Sequence, residues 1–156
     1  MKQYTLCLLM FIFVTGPKVR TLDYSAFKGT GSGDAQTVSQ IELLETQGDN
    51  GYTFQVSYWF DSVSSYINTR NEDLLRHENL HLTITHIYAS FIEATLRKFQ
   101  HCNEVGKKKA DRLFDEYLSD WDREEKRFDK ETAHGTNRSA ELRWEKNIQH
   151  ELTQLP

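Results

Sequence analysis

Between residues 19 and 60 the apolar positions recur mostly at every second residue. Tyr52, Phe54, Val56, Tyr58 and Phe60 fall on one side of an extended chain, so this run reads as a strand with one buried face. Thr37-Val38-Ser39-Gln40-Ile41-Glu42-Leu43 is a second β-branched run, and Gly48-Asp49-Asn50-Gly51 between the two carries a hairpin turn signal. A weaker alternation over 21–29 reads as a further strand segment and runs into a Gly/Ser/Asp cluster at 29–34, a loop. Residues 61–71 form a polar connector in which Asn68 or Asn71 can cap a helix. The period then changes. Leu74, Leu80, Ile84, Tyr88, Phe91, Ile92 and Phe99 share one face of a helix predicted over 72–101. The break is placed at 102–106, with Gly106 as C-cap or turn residue. A second helix over 108–132 has the stripe Ala110, Phe114, Tyr117, Leu118, Trp121 and Phe128, and a third over 139–152 shows Leu142, Trp144, Ile148 and Leu152. The expected class is α+β: an N-terminal antiparallel β-hairpin or sheet, then a helical half whose first long helix packs antiparallel on the second.

The chemistry concentrates on that first helix. His77-Glu78-Asn79-Leu80-His81 is an HExxH. At about 100° per residue His81 lies only about 40° round from His77, so both imidazoles project from one face and reach one ion. Glu78 is about a quarter turn away, placed to touch water on that ion rather than the ion itself. Two nitrogen ligands with an acid between them is the arrangement of the zincins, and a zincin-like fold is expected. Two core histidines satisfied by hydrogen bonds would be the bland alternative; the i, i+4 spacing with the acid between favours metal.

An antiparallel return of the second helix brings Glu131, Thr132 and His134 to the level of the pair. Gly135 can end the helix and let the His134 ring turn inward, so His134 is the expected third zinc ligand, leaving one position open. Glu131 and Asp129 are carboxylate alternatives one turn earlier, and Asp129 can instead orient a ligand imidazole. His86 lies about 180° round from His77 and cannot join the site. His101 and His150 fall near helix ends.

At 156 residues the chain suits one domain, and a net charge of −4 leaves no basic footprint for nucleic acid. Lys2 followed by the nine-residue apolar run 6–14 is too short to span a bilayer and fits a signal peptide, taken as 1–16, with a single domain over 17–156. The expected location is therefore periplasmic or extracellular, without stable membrane insertion after export. Loss of Cys7 with that segment leaves Cys102 without a disulfide partner and excludes a cysteine zinc site.

Several stretches together resemble a bacterial family of predicted secreted zinc-dependent proteases, described so far only as a domain of unknown function. They are Leu22-Asp23-Tyr24-Ser25-Ala26-Phe27-Lys28-Gly29, Tyr58-Trp59-Phe60-Asp61 ahead of Ser65-Tyr66, the run from Asp73 to Leu82 with Ile87-Tyr88-Ala89, and Phe128-Asp129-Lys130-Glu131-Thr132-Ala133-His134-Gly135 with Trp144. The resemblance implies His77 and His81 as ligands, Glu78 as the catalytic acid–base and a functional histidine falling on His134. This chain departs from the family pattern in carrying His86 where an acidic residue is usual and Phe128 where a tyrosine is common.

The expectation is an exported zinc peptidase: Zn2+ on His77, His81 and His134, Glu78 as general base, and a peptide or protein as substrate. Tyr88 and Arg138 are candidate oxyanion donors. Two alternatives share the metal: a non-catalytic, zinc-stabilised cell-envelope binding module, and an amidase acting on cell-wall peptides.

Overall fold

A computed structural model describes residues 21–156; the expected signal peptide at 1–16 lies outside them. Four strands precede three helices: β1 (Ala35–Gln36), β2 (Ser39–Gly48), β3 (Gly51–Phe60), β4 (Tyr66–Ile67), α1 (Glu72–Leu96), α2 (Glu104–Thr132) and α3 (Arg138–Thr153). The class is α+β, as expected. β2 and β3 form the antiparallel hairpin in the register that pairs Ser39 with Phe60 and Gly48 with Gly51, and β1 pairs with β4 in a second two-stranded sheet.

The hairpin turn closes on Asp49 and Asn50. Gly51 has φ +105°, and a Cβ there would meet the Cys102 carbonyl at 2.4 Å, so only glycine fits. The next residue uses that closeness: Tyr52 N–H donates to the Cys102 carbonyl at 2.9 Å and ties the hairpin tip to the α1–α2 connection. Farther along β3, Gln100 imitates a neighbouring strand. Its amide accepts from Phe54 N–H at 3.1 Å and donates to the Phe54 carbonyl at 2.8 Å.

α1 begins at Asn71, whose side chain accepts from the Asp73 and Leu74 amides, with Glu72 and Asp73 in the first turn complementing the helix dipole. It is the central rod of the molecule. Its C-terminal half (Ala89, Ile92 and Leu96) meets Ile41 and Phe54 of the hairpin and Ala110 of α2. Its earlier turns (Leu80, Ile84 and Ile87) meet Phe128, Trp144 and Ile148 of α2 and α3. α2 runs antiparallel to α1, as the contacts of Thr95 with Tyr117 and of His77 with Asp129 show.

Three local expectations need correction. Residues 21–29 form no strand but a single 3-10 turn, Tyr24–Ala26, capped by Asp23. The reason lies in who satisfies the backbone: the Asn79 amide accepts from Leu22 N–H at 2.6 Å and donates to its carbonyl at 3.0 Å, while Lys28 and Gly29 amides bond the carbonyls of Ser62 and Ser65. The first helix stops at Leu96 and passes through a 3-10 turn, Arg97–Phe99. Gly106 does not end it. The break falls at 100–103, where His101 has φ 61°, and Asn103 caps α2 by accepting from Gly106 N–H at 3.1 Å. Gly106 is small because Cys102 packs on it; a Cβ would lie 2.5 Å from that of Cys102.

Among the described residues no helix is long and apolar enough to cross a membrane.

Candidate metal centre

His77 and His81 leave α1 one turn apart and face Asp129 and Glu125, one turn apart on α2. The Nε2 atoms of the two imidazoles are 3.2 Å from each other, and each is 3.1 Å from Asp129 Oδ1. Four-coordinate zinc, with bonds of about 2.0–2.1 Å, sets neighbouring ligand atoms roughly 3.3 Å apart. The triangle therefore fits such an ion, and among the described residues His77, His81 and Asp129 form a group able to hold one.

The rings are fixed from several sides. Phe128 stacks on His77 at 4.5 Å between centroids and meets His81 edge-on at 4.8 Å. His81 Nδ1 bonds the Glu125 carboxylate, which also accepts from Trp121 Nε1 at 2.9 Å and from the Thr85 hydroxyl at 3.3 Å. With Nδ1 committed to Glu125, the nitrogen left for an ion is Nε2. Behind His77 the chain reverses. Ala133, His134 and Gly135 all have positive φ, and a Cβ on Gly135 (φ +80°) would stand 3.1 Å from Cβ and Cγ of His77. That turn ends α2 and carries the chain to Asn137, whose side chain caps α3. The first turn of α3 then puts the Glu141 carboxylate 3.5 Å from His77 Nδ1, both groups buried.

His134 reaches the same place by another route. Its Nδ1 lies 3.2 Å from Asp129 Oδ1, so three imidazoles address one carboxylate oxygen, but the His134 side chain is 80% exposed. It stands on the solvent side of Asp129, with its amide held by the Asp129 carbonyl at 2.9 Å. Glu131, the other carboxylate alternative, is engaged elsewhere, accepting from Trp144 Nε1 at 2.9 Å. His86 lies on the hairpin side of α1 against Tyr58. Of the candidate oxyanion donors, Arg138 approaches Asp73 at 3.9 Å, and Tyr88 lines a small cavity with Ile84, Trp144 and Arg127.

Electrostatics follow from this packing. Burial opposes charge on His81, but its bonds to Asp129 and Glu125 outweigh burial and bring its pKa up to about 10 without an ion. Burial likewise opposes charge on His77, and Asp129 and Glu141 reverse the balance and raise its pKa. Burial would raise the Asp129 carboxyl, yet the His77 and His81 hydrogen bonds hold it well below the usual carboxylate range. Glu78 is the opposite case. It is 4% exposed, its Oε2 has no hydrogen-bond partner, and burial raises its pKa against the charges of His81 and His77 and the Thr37 hydroxyl. A groove of about 330 Å³ lies between α2 and α3, but its lining of Arg127, Glu131, Arg143, Trp144, Lys146 and Asn147 includes no residue of the triangle.

An α+β domain with a His-His-carboxylate triangle on two antiparallel helices is thus the class that fold and site define. Residues 55–135 match the family described as bacterial protein of unknown function (DUF922), slightly more than half of the chain, and the chain belongs to it. Neither the curated proteins nor the solved structures contain a match. The matched stretch holds β3 from Gln55 onward, all of α1, Asp129 and the turn through Gly135; α3 and Glu141 lie beyond it.

Proposed function

We propose that this chain is an exported, zincin-like zinc hydrolase of peptide bonds, with His77, His81 and Asp129 holding the metal and Glu78 as its proton carrier. The observation that carries the reading is the meeting of two Nε2 atoms and one carboxylate oxygen within 3.2 Å of one another, next in sequence to a buried acid with an orphan oxygen. Such an acid is costly in a purely structural role and useful in a hydrolytic one. Bound zinc supplies Lewis acidity, activating water near neutral pH and polarising a carbonyl oxygen.

The residues do the rest. Glu78, as carboxylate, accepts a proton from the attacking water while the new C–O bond forms. It then delivers that proton to the departing amine nitrogen as the C–N bond breaks, and returns to carboxylate. Its raised pKa suits both steps, because a carboxyl nearer neutrality accepts and releases a proton with less penalty. Glu125 holds His81 in the tautomer that presents Nε2. His134, exposed beside Asp129, presents its ring to solvent at the edge of the site.

A second reading, a zinc-stabilised binding module without catalysis, is favoured by the depth of the pair, since the His77 side chain is only 2% exposed. One experiment separates the two. Zinc content and cleavage of a denatured protein and of cell-wall peptides are measured for the natural chain and for Glu78→Gln. The hydrolase reading expects about one zinc in both and cleavage lowered by about 10²-fold or more in the variant. Zinc without cleavage in either favours the module; absence of zinc removes both readings.

A further inference from the structure

Glu141 is an ionisable side chain buried to 0% exposure, and neither of its carboxylate oxygens has a hydrogen-bond partner. A carboxylate in that position is expensive, and packing alone would be served by an apolar side chain of the same length. Two features offset the cost. Glu141 sits in the first turn of the sixteen-residue helix α3, where the amide dipoles favour an anion. Its Oε2 also lies 3.5 Å from His77 Nδ1, an atom that is itself buried and without a hydrogen-bond partner. The two orphans face each other.

The surroundings give that facing pair a direction. Phe128 covers one face of the His77 ring, and Gly135 lies so close to its Cβ–Cγ edge that a Cβ there would stand 3.1 Å from it. The Nε2 corner points to Asp129 Oδ1 and the Nδ1 corner to Glu141. On the neighbouring ligand the same division holds, with Glu125 at Nδ1 and the triangle at Nε2. We propose that Glu141 is a positioning residue. It holds the His77 proton on Nδ1 and so keeps Nε2 free for the ion, which makes α3, beyond the family match, a working part of the metal centre. This rests on the reading of His77, His81 and Asp129 as a zinc site.

The test compares zinc affinity, by competition with a chromophoric chelator, in the natural chain, Glu141→Met, Glu141→Gln and His81→Asn, alongside thermal melts of the metal-free proteins. Glu141→Met removes the acceptor and is expected to weaken zinc binding by about 10–100-fold. Glu141→Gln keeps an acceptor oxygen and recovers part of that loss. Metal-free Glu141→Met leaves the buried His77 Nδ1 without its facing acceptor, so its melt is read to show that the variant folds and the zinc affinity decides. A merely structural role lowers the melting temperature but leaves zinc affinity within twofold, and that result overturns the proposal. Long-range 1H–15N spectra of the zinc-loaded natural chain need no variant to fold. They are expected to show His77 protonated at Nδ1, and a deprotonated Nδ1 is equally fatal. Should His81→Asn abolish zinc binding while Glu141→Met leaves it unchanged, the inference about Glu141 alone falls; should the natural chain bind no zinc, the site reading falls with it.

Discussion

Asp129 Oδ1 receives three imidazoles, and the last turn of α2 decides which of them lies inside the molecule and which in solvent. Had the helix continued past Thr132, the His134 ring would have been carried round the axis with it. Instead the backbone turns left-handed at Ala133, and three successive positive φ values put the ring outside Asp129. A ligand that is 80% exposed loses more ordering entropy on binding than one already clamped, and Asp129 is clamped by His77 and His81. Asp129→Ala is therefore expected to lower zinc affinity by more than about 100-fold and His134→Ala by less than about tenfold, read by chelator competition. Equal losses would make His134 a ligand of the same standing. The HExxH pair was legible because spacing alone puts both rings on one face of a helix. Gly135 does not itself end α2, which stops at Thr132 with a left-handed cap at Ala133, and the direction in which that turn throws His134 is not written in any periodicity. Asp129, read from sequence as a carboxylate alternative one turn before His134, faces the pair directly, and His134, the first choice, stands beside it toward solvent.

At the scale of elements, the site depends on α1 being buried on nearly every side. A single apolar stripe predicts one covered face, yet Glu78, Leu82, Thr85 and His86 are buried as well. The hairpin covers the side that the stripe leaves polar; there the Ser39 and Thr85 hydroxyls meet at 2.7 Å, while the His86 ring nitrogens stay unbonded. The strand pattern of β3 and the Gly-Asp-Asn-Gly turn announced that hairpin plainly. What they did not announce was the path of 21–29, because its amides are satisfied by an asparagine side chain and by loop carbonyls, neither of which leaves a periodic mark. Glu141 was illegible for a related reason: a glutamate in a first helical turn reads as a dipole partner in solvent, and only the reversal at 133–137 folds it inward. The element contact on which the centre leans hardest is Phe128, 0% exposed and packed on His77, His81 and Trp144. Truncating it leaves a cavity between α1, α2 and α3. Phe128→Ala is expected to destabilise the metal-free chain by about 3–5 kcal/mol in denaturant titrations. A loss below about 1 kcal/mol would mean that the helices close over the gap and that the rings are not held as described.

His77 and His81 on one side and His86 on the other are shifted in opposite directions, and this gives stability a shape in pH. His81, raised to about 10 by Asp129 and Glu125 despite burial, and His77, raised with it, stabilise the metal-free fold fully below the unfolded histidine value of about 6.5. That contribution fades as pH climbs toward 10. His86 is the reverse. It is 5% exposed with neither ring nitrogen bonded, and burial lowers its pKa, so the unfolded chain takes up its proton first and stability falls as pH drops below about 6.5. Taken together, these three histidines favour the metal-free fold most close to that value. On the proposed zinc reading, the metal should change the upper limb and leave the lower one. An ion at Nε2 of His77 and His81 competes with protons, so it binds more tightly as pH rises, over the range in which the proton-held triangle weakens. Each zinc taken up at pH 8 is then expected to expel about one proton or more, because Asp129 and Glu125 raise the His81 pKa to about 10 in the metal-free chain. Calorimetric zinc titrations at pH 8 in buffers of different ionisation enthalpy should show observed heats that vary linearly with that enthalpy, with a slope of about one proton or more per zinc. In melts from pH 6 to 9, the zinc-induced rise in melting temperature should grow with pH. A slope near zero would mean that zinc binds without displacing the protons on these rings, and the triangle would not be where the ion sits.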